Sequence, residues 1–173
     1  EYHPREGDLA AAATYAREGL ALAPKEPAQL AVSGRIYLAG GKYRKSLRPL
    51  ETLVQLQPQS ATARILLAEA HLQLDEFDSA RRELQGARKN SPKDASVLST
   101  LARLELKSGD YDRALAYSRE IRDTWPELFL GFELSGDSKM ASGRFDDAET
   151  EYSQAWDRMQ SSSLLVKIGR ASC

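Results

Sequence analysis

A spacing of 34 residues recurs along the chain and constrains its fold more than any other feature. The prolines Pro24, Pro58, Pro92 and Pro126 follow one another at this interval. A fixed period of this length is typical of an array of equal structural units, each stacked on the next. The chain is therefore predicted to be a tandem repeat protein.

Two further sets of residues recur with the same period. The first is a turn made of a small or polar residue, a polar residue and a large apolar residue. The second is a small residue five positions after each turn begins. The turns are Gly7-Asp8-Leu9, Gly41-Lys42-Tyr43, Asp75-Glu76-Phe77, Gly109-Asp110-Tyr111 and Gly143-Arg144-Phe145. The small residues are Ala12, Ser46, Ala80, Ala114 and Ala148.

The residue types in these sets suit helices that reverse direction. Glycine accepts the left-handed backbone that ends a helix, Asp caps the start of the next one, and proline cannot continue the hydrogen-bond ladder. A small side chain lets two helices approach closely. Between the markers the apolar residues follow helical spacing, as in Ile65, Leu66, Ala68, Leu72 and Leu74. We therefore predict two antiparallel helices per repeat and an all-α chain without strands.

Helix–turn–helix units of 34 residues with these markers resemble the tetratricopeptide repeat (TPR) family. The resemblance covers nearly the whole chain and implies a right-handed superhelical solenoid of antiparallel helix pairs. In the second repeat the residues favoured by the family are Leu30, Ser33, Gly34, Tyr37, Ser46, Leu50, Leu53 and Pro58.

The resemblance makes residues 1–173 a single TPR array. Residues 1–24 are expected to hold the second half of a repeat, and residues 163–173 the start of a further one. The full repeats between them are 27–60, 61–94, 95–128 and 129–162. Because neither end supplies a polar capping helix, we expect a fragment of a longer protein whose uncapped ends would allow self-association.

Four residues depart from the expected pattern. Pro4 and Pro49 fall where helices are expected, and Pro49 should kink its helix or delay the start of that helix. Glu105 and Lys139 take the place of a core aromatic residue. Packing should be looser at these two positions unless the two side chains pair with each other.

Composition argues against several classes of function. The chain has 24 Lys and Arg against 25 Asp and Glu, so it lacks the basic excess of a nucleic-acid-binding protein. No apolar run is long enough to span a bilayer. Cys173 is the only cysteine, and His3 and His71 lie far apart, so no metal site is expected.

Catalytic motifs are also missing from the sequence. It contains no glycine-rich phosphate loop, no G-x-S-x-G, no HExxH and no C-x-x-C. The many Asp and Glu residues fall at helix caps or at exposed helical positions, where they aid solubility and pair with nearby cations. We therefore predict a chain that is not an enzyme and that binds no cofactor.

The TPR resemblance implies that the concave surface, built by the first helix of each repeat, binds a protein or peptide partner. At the ninth position of successive repeats the charge alternates in sign, through Arg35, Glu69, Arg103 and Asp137. Two interpretations stay open: a ladder of salt bridges between neighbouring repeats, or a dipolar groove for a partner of mixed charge. The residues predicted to line the groove are Arg35, Ile65, Glu69, Gln73, Arg103, Lys107 and Asp137.

Two segments near the C-terminal end show a closer resemblance. Residues 131–137 (GFELSGD) and 161–169 (SSSLLVKIG) are similar to the last repeats of bacterial TPR lipoproteins of the PEP-CTERM/exosortase system. This resemblance implies an envelope-anchored scaffold associated with exopolysaccharide production and protein sorting. Two alternatives remain: a cytoplasmic regulatory TPR module, and a TPR region that recruits substrate for a larger enzyme.

Overall fold

The computed structural model describes residues 6–172, with side chains from residue 11 onward. Pro4, His3 and Cys173, which the sequence singled out, lie outside these residues. The described residues form ten helices and no strand, so the all-α prediction is confirmed. The helices are α1 (Glu6–Leu22), α2 (Pro27–Ala39), α3 (Tyr43–Leu56), α4 (Ala61–Gln73), α5 (Phe77–Asn90), α6 (Ala95–Ser108), α7 (Tyr111–Thr124), α8 (Phe129–Ala141), α9 (Phe145–Arg158) and α10 (Ser162–Ala171).

The helices repeat the period of the sequence. We call the even-numbered helices first helices and the odd-numbered ones second helices. From α2 to α8 the first helices begin at residues 27, 61, 95 and 129, and from α3 to α9 the second helices begin at residues 43, 77, 111 and 145. Each second helix from α3 to α9 therefore starts at the Tyr or Phe of its predicted turn.

The turns inside the pairs use a left-handed backbone. Gly41, Gly109 and Gly143 have φ of 66°, 86° and 78°, and Asp75 takes the same position with φ of 59°. Glycine accepts this conformation without a steric cost, and Asp tolerates it better than most other residues. The chain therefore reverses in the same way at a turn that has no glycine.

Side-chain caps fix the start of several helices. The Ser60 hydroxyl accepts a hydrogen bond from the backbone N–H of Ala63 at the start of α4. Asp94 caps α6, and Asp110 caps α7 by accepting from the N–H of Arg113. Such caps satisfy N–H groups that have no partner within the helix.

The chain forms two compact units. The first extends to Pro92 and contains α1 to α5, with sequential helices packed together. Its core includes Leu30, Leu50 and Leu53, which are almost fully buried. Gly34 lies against Leu50, so that α2 and α3 approach closely.

The second unit begins at Lys93 and contains α6 to α10. One cluster is built on Leu98, Ile121 and Leu134, and another on Phe132 and Tyr152. The recurring small residues are buried in both units, because Ser46, Ala80, Ala114 and Ala148 have no exposed surface.

Pro49 lies inside α3 and its side chain is buried. The helix begins at Tyr43, six residues earlier in the chain, so the proline does not delay its start. Proline inside a helix removes one backbone hydrogen bond. The helix continues past this position to Leu56.

Candidate protein-binding site

Helix α6 is buried on most of its surface and carries two long cationic side chains in solvent. Leu98, Leu101 and Leu104 are almost fully buried. Arg103 and Lys107 are exposed and stand one helical turn apart, so they project from the same face. Two of the predicted binding residues therefore share an accessible face in the second unit.

In the first unit the predicted residues lie on α2 and α4. Arg35 on α2 and Gln73 on α4 are exposed, whereas Ile65 and Glu69 on α4 are partly buried. A groove of about 470 Å³ lies between the starts of these helices and the end of α3, and none of the four predicted residues is among those that line it. Small and apolar residues dominate its lining, including Ala28, Ala31, Leu53, Ala63 and Leu66.

Asp137 differs from the other predicted residues because other side chains hold its carboxylate. Lys167 on α10 donates to Asp137 at 2.7 and 2.9 Å and to Glu133 at 2.9 Å. The Tyr152 hydroxyl donates to Asp137 at 2.9 Å. This ion pair joins α8 to α10, as one link of a salt-bridge ladder would. The ladder as a whole stays a prediction.

Burial and charge act on the pKa values of this cluster. Burial opposes the charge on Lys167, but its hydrogen bonds to Asp137 and Glu133 raise the pKa of this ammonium above the ordinary value. Burial, and then the neighbouring Asp137 carboxylate, raise the pKa of the Tyr152 hydroxyl. The lysine therefore stays charged and the tyrosine stays protonated at neutral pH.

Lys167 belongs to this cluster although it is not among the residues predicted from the sequence. A signal was present, because Lys167 follows Glu133 by one repeat length. Lysine one repeat after a glutamate places opposite charges on adjacent first helices. Only the side-chain geometry shows that this lysine also reaches Asp137.

The motif at residues 131–137 has a structural role at each characteristic position. Gly131 lies against Arg122 and the Ser118 carbonyl of α7, and Gly136 lies against the Tyr152 ring. Leu134 is buried in the core. With Asp137 bound to Lys167, the motif links α8 to α7, α9 and α10.

A second charged cluster is centred on Glu151 of α9, whose side chain is 9% exposed. It accepts hydrogen bonds from Arg122 at 3.0 and 3.1 Å and from Lys139 at 2.7 Å. Lys139, which replaces a core aromatic residue, therefore has a carboxylate partner. The guanidinium groups of Arg122 and Arg158 lie 4.6 and 3.8 Å from the centre of the Phe132 ring.

Two other kinds of site are absent from the described part of the chain. No group of three or more His, Cys, Asp or Glu residues lies close enough there to hold a metal ion. Within residues 6–172, no helix combines the length and apolar character that crossing a membrane requires.

Comparison with known proteins identifies this architecture. A family model described as tetratricopeptide repeat matches residues 37–104. The structure of TTC0263, a thermophilic TPR protein of Thermus thermophilus, superimposes with a TM-score of 0.82 at 21% identity, covering 96% of this chain and 91% of that one. The chain has the TPR fold.

Two further solved structures are similar to this chain over most of its length. A TPR protein from Parabacteroides merdae ATCC 43184 gives a TM-score of 0.87 at 20% identity, over 97% of this chain and 66% of that one. MamA from Desulfovibrio magneticus RS-1 gives 0.71 at 16% identity, over 91% and 89%. No curated protein sequence matches the chain.

The TPR fold is that of an interaction scaffold. TPR domains bind protein partners, and repeat arrays of this kind present extended binding surfaces on one set of helices. TPR proteins are in general not enzymes. Four of the predicted contact residues are exposed in this chain, and all four lie on first helices: Arg35, Gln73, Arg103 and Lys107.

Proposed function

We propose that this chain is a protein-interaction scaffold that binds an extended or helical segment of a partner on its first helices. The observation that carries the proposal is the pair of cations on α6. A helix that is buried on most sides nevertheless presents Arg103 and Lys107 to solvent on one face. Peptide recognition by helical grooves uses such a combination of apolar surface and placed charges.

The first unit supports the proposal with a different surface. Its groove of about 470 Å³ has a mainly apolar lining, suited to a hydrophobic side chain of a partner. We propose that the contact residues are Arg35, Ile65, Glu69 and Gln73 in the first unit and Arg103, Lys107 and Asp137 in the second. Asp137 would contribute through the charge that remains beside Lys167.

Reversal of charge at Arg103 tests this proposal. Arg103→Glu should weaken partner binding about tenfold, equivalent to about 1.4 kcal/mol, because the exposed guanidinium would be replaced by a repelling carboxylate. The melting temperature should fall by no more than about 2 °C, since substitutions at exposed positions change stability little. Titration calorimetry with the identified partner and thermal unfolding give the two values.

Arg119→Glu is the matched control, because Arg119 is an exposed arginine on the second helix α7. It should leave partner affinity within about twofold of the wild type. If Arg103→Glu instead lowers the melting temperature strongly and leaves affinity unchanged, Arg103 has a structural role and this part of the proposal is wrong.

We further propose that the scaffold acts in a bacterial envelope system associated with exopolysaccharide production and protein sorting. The support is the likeness of residues 131–137 and 161–169 to the last repeats of PEP-CTERM/exosortase TPR lipoproteins. The Asp137–Lys167 pair joins these two segments, which are far apart in sequence. A cytoplasmic regulatory module and a substrate-recruiting region of a larger enzyme are the alternative functions.

The N-terminus of the mature full-length protein separates these alternatives. If the envelope proposal is correct, mass spectrometry of the protein from its native host should show a diacylated N-terminal cysteine. An unprocessed N-terminus without lipid would contradict the envelope assignment. It would leave the scaffold proposal intact, since partner binding by the first helices does not depend on an anchor.

A further inference from the structure

We call the gap between two successive second helices of one unit a seam. The seams differ in the side chains that fill them. Within the first unit, Arg64 on α4 lies between the end of α3 and α5, because it donates to Glu83 of α5 at 2.7 Å and to the carbonyl of Pro58, just after α3, at 3.0 Å. The Arg64 guanidinium also covers Gly86. A cation and a carboxylate of the same chain therefore occupy this seam together.

The seam between α7 and α9 in the second unit is filled by equivalent repeat positions. Phe132 takes the place of Arg64, and Glu151 takes the place of Glu83, each two repeats later. Arg122 donates to Glu151 and lies on the Phe132 ring. Here too a carboxylate of the chain neutralises a cation in the seam.

The seam between α1 and α3 lacks that carboxylate. Pro49 stands one repeat before Glu83, and Leu30 stands one repeat before Arg64. A cleft of about 490 Å³ remains open there. Three cations line it, Arg17, Lys25 and Arg48, and no carboxylate is among its described lining residues.

The wall of the cleft is apolar between these cations. Leu30 and Pro49 are buried beneath it, Leu20 is partly buried, and Ala21 is exposed at its edge. Guanidinium groups bind carboxylates through paired hydrogen bonds, and these charge-assisted bonds are stronger than neutral ones. A ligand for this cleft therefore needs a carboxylate next to an apolar group.

We propose that this cleft binds an acidic peptide segment of a partner protein, with a Glu or Asp side chain beside a hydrophobic one. The carboxylate pairs with Arg17 and Arg48 in place of the intrachain glutamate of the other two seams. The neighbouring hydrophobic side chain covers Leu20 and Pro49. This surface lies on second helices, so its occupant does not compete for the exposed residues of the first helices.

A library of random hexapeptides displayed on phage tests the proposal against the intact 173-residue chain. We expect selected peptides to contain Asp or Glu next to Leu, Ile or Phe. Arg48→Glu should lower the affinity for the best selected peptide about tenfold or more, because the loss of a charged hydrogen bond has an effect of this size. Failure to select acidic peptides would overturn the proposal.

Arg82→Glu is the matched control, since Arg82 occupies the position of Arg48 one repeat later and is exposed on α5. It should leave the peptide affinity within about twofold. Equal loss from both variants would mean that the peptide responds to overall charge. Loss with Arg103→Glu but not with Arg48→Glu would place the peptide on the first helices instead.

A gain-of-carboxylate variant gives an independent test. Pro49→Glu places at this position the glutamate that the seams α3–α5 and α7–α9 have. It also supplies the backbone N–H that proline lacks, so the helix can form the missing hydrogen bond. We expect it to raise the melting temperature and to weaken the peptide about tenfold or more, because the introduced carboxylate would pair with the cations. Unchanged peptide affinity in this variant would overturn the proposal.

Two further outcomes identify a different occupant. If inorganic phosphate displaces the peptide completely at equal concentration, the cleft is an anion site only. If light scattering shows that wild type self-associates and that Arg48→Glu is monomeric, the occupant is a second copy of the chain. Either result overturns the assignment to an acidic peptide of a partner.

Discussion

Glu151→Ala is expected to lower the free energy of unfolding by about 3–5 kcal/mol, as for other buried ion pairs that lose one partner. The Glu151 carboxylate lies between Arg122 at 3.0 Å and Lys139 at 2.7 Å. The Glu151 and Lys139 side chains are only 9% and 17% exposed. Removing the carboxylate would leave two neighbouring cations to repel each other, and Lys139 would have little water to stabilise its charge, whereas Arg122 is 31% exposed.

Urea unfolding followed by circular dichroism measures this loss. Asp157→Ala serves as the control, since Asp157 is an exposed acid on the same helix, and it should change stability by no more than about 0.5 kcal/mol. A loss from Glu151→Ala no larger than that of the control would mean that the cluster contributes nothing to folding.

Gly136→Ala is expected to lower the free energy of unfolding by about 1–3 kcal/mol, the usual penalty for overpacking a core. An added methyl group would overlap the ring of Tyr152, a residue that is 2% exposed. The ring has little freedom to move, because its hydroxyl donates to Asp137 at 2.9 Å. The substitution should therefore separate α8 from α9 or displace the tyrosine.

Gly169→Ala provides the opposite case within the same unit. Apart from the adjoining residues and the backbone of its own helix, no heavy atom lies within 4 Å of the position that its methyl group would occupy. This substitution should stabilise the protein by roughly 0.5–1 kcal/mol, because alanine loses less backbone entropy than glycine inside a helix. Equal effects of the two glycine substitutions in urea unfolding would contradict the close approach of α8 and α9.

The helices were predictable from the sequence because their signals are local. Turn residues, recurring small residues and helical spacing of apolar residues act within one repeat, and the second helices α3, α5, α7 and α9 begin at the aromatic residues of their turns. The left-handed turn at Asp75 was also within reach, since Asp75 falls where the four other predicted turns have glycine. Local physical chemistry is sufficient for this level of structure.

The partners of the charged side chains were not predictable in the same way. Sequence alone allowed Lys139 to pair with Glu105, whereas the structure shows Lys139 bound to Glu151. The repeat spacing signalled the pair of Lys167 with Glu133, but it gave no sign that Lys167 also reaches Asp137. Such pairs depend on the direction in which a long side chain extends from one helix to the next. The spacing of residues along the chain does not determine that direction.

The contrast between Pro49 and Glu83 has a consequence for how a surface of this kind can change during evolution. Each position recurs once per repeat, but a mutation alters only the repeat in which it occurs. Replacing both the cation and the glutamate in a single repeat, as Leu30 and Pro49 do here, would open one cleft and leave the other repeats unchanged. A duplicated gene segment can thus acquire an additional docking point by two codon changes while the remaining copies continue to support the fold.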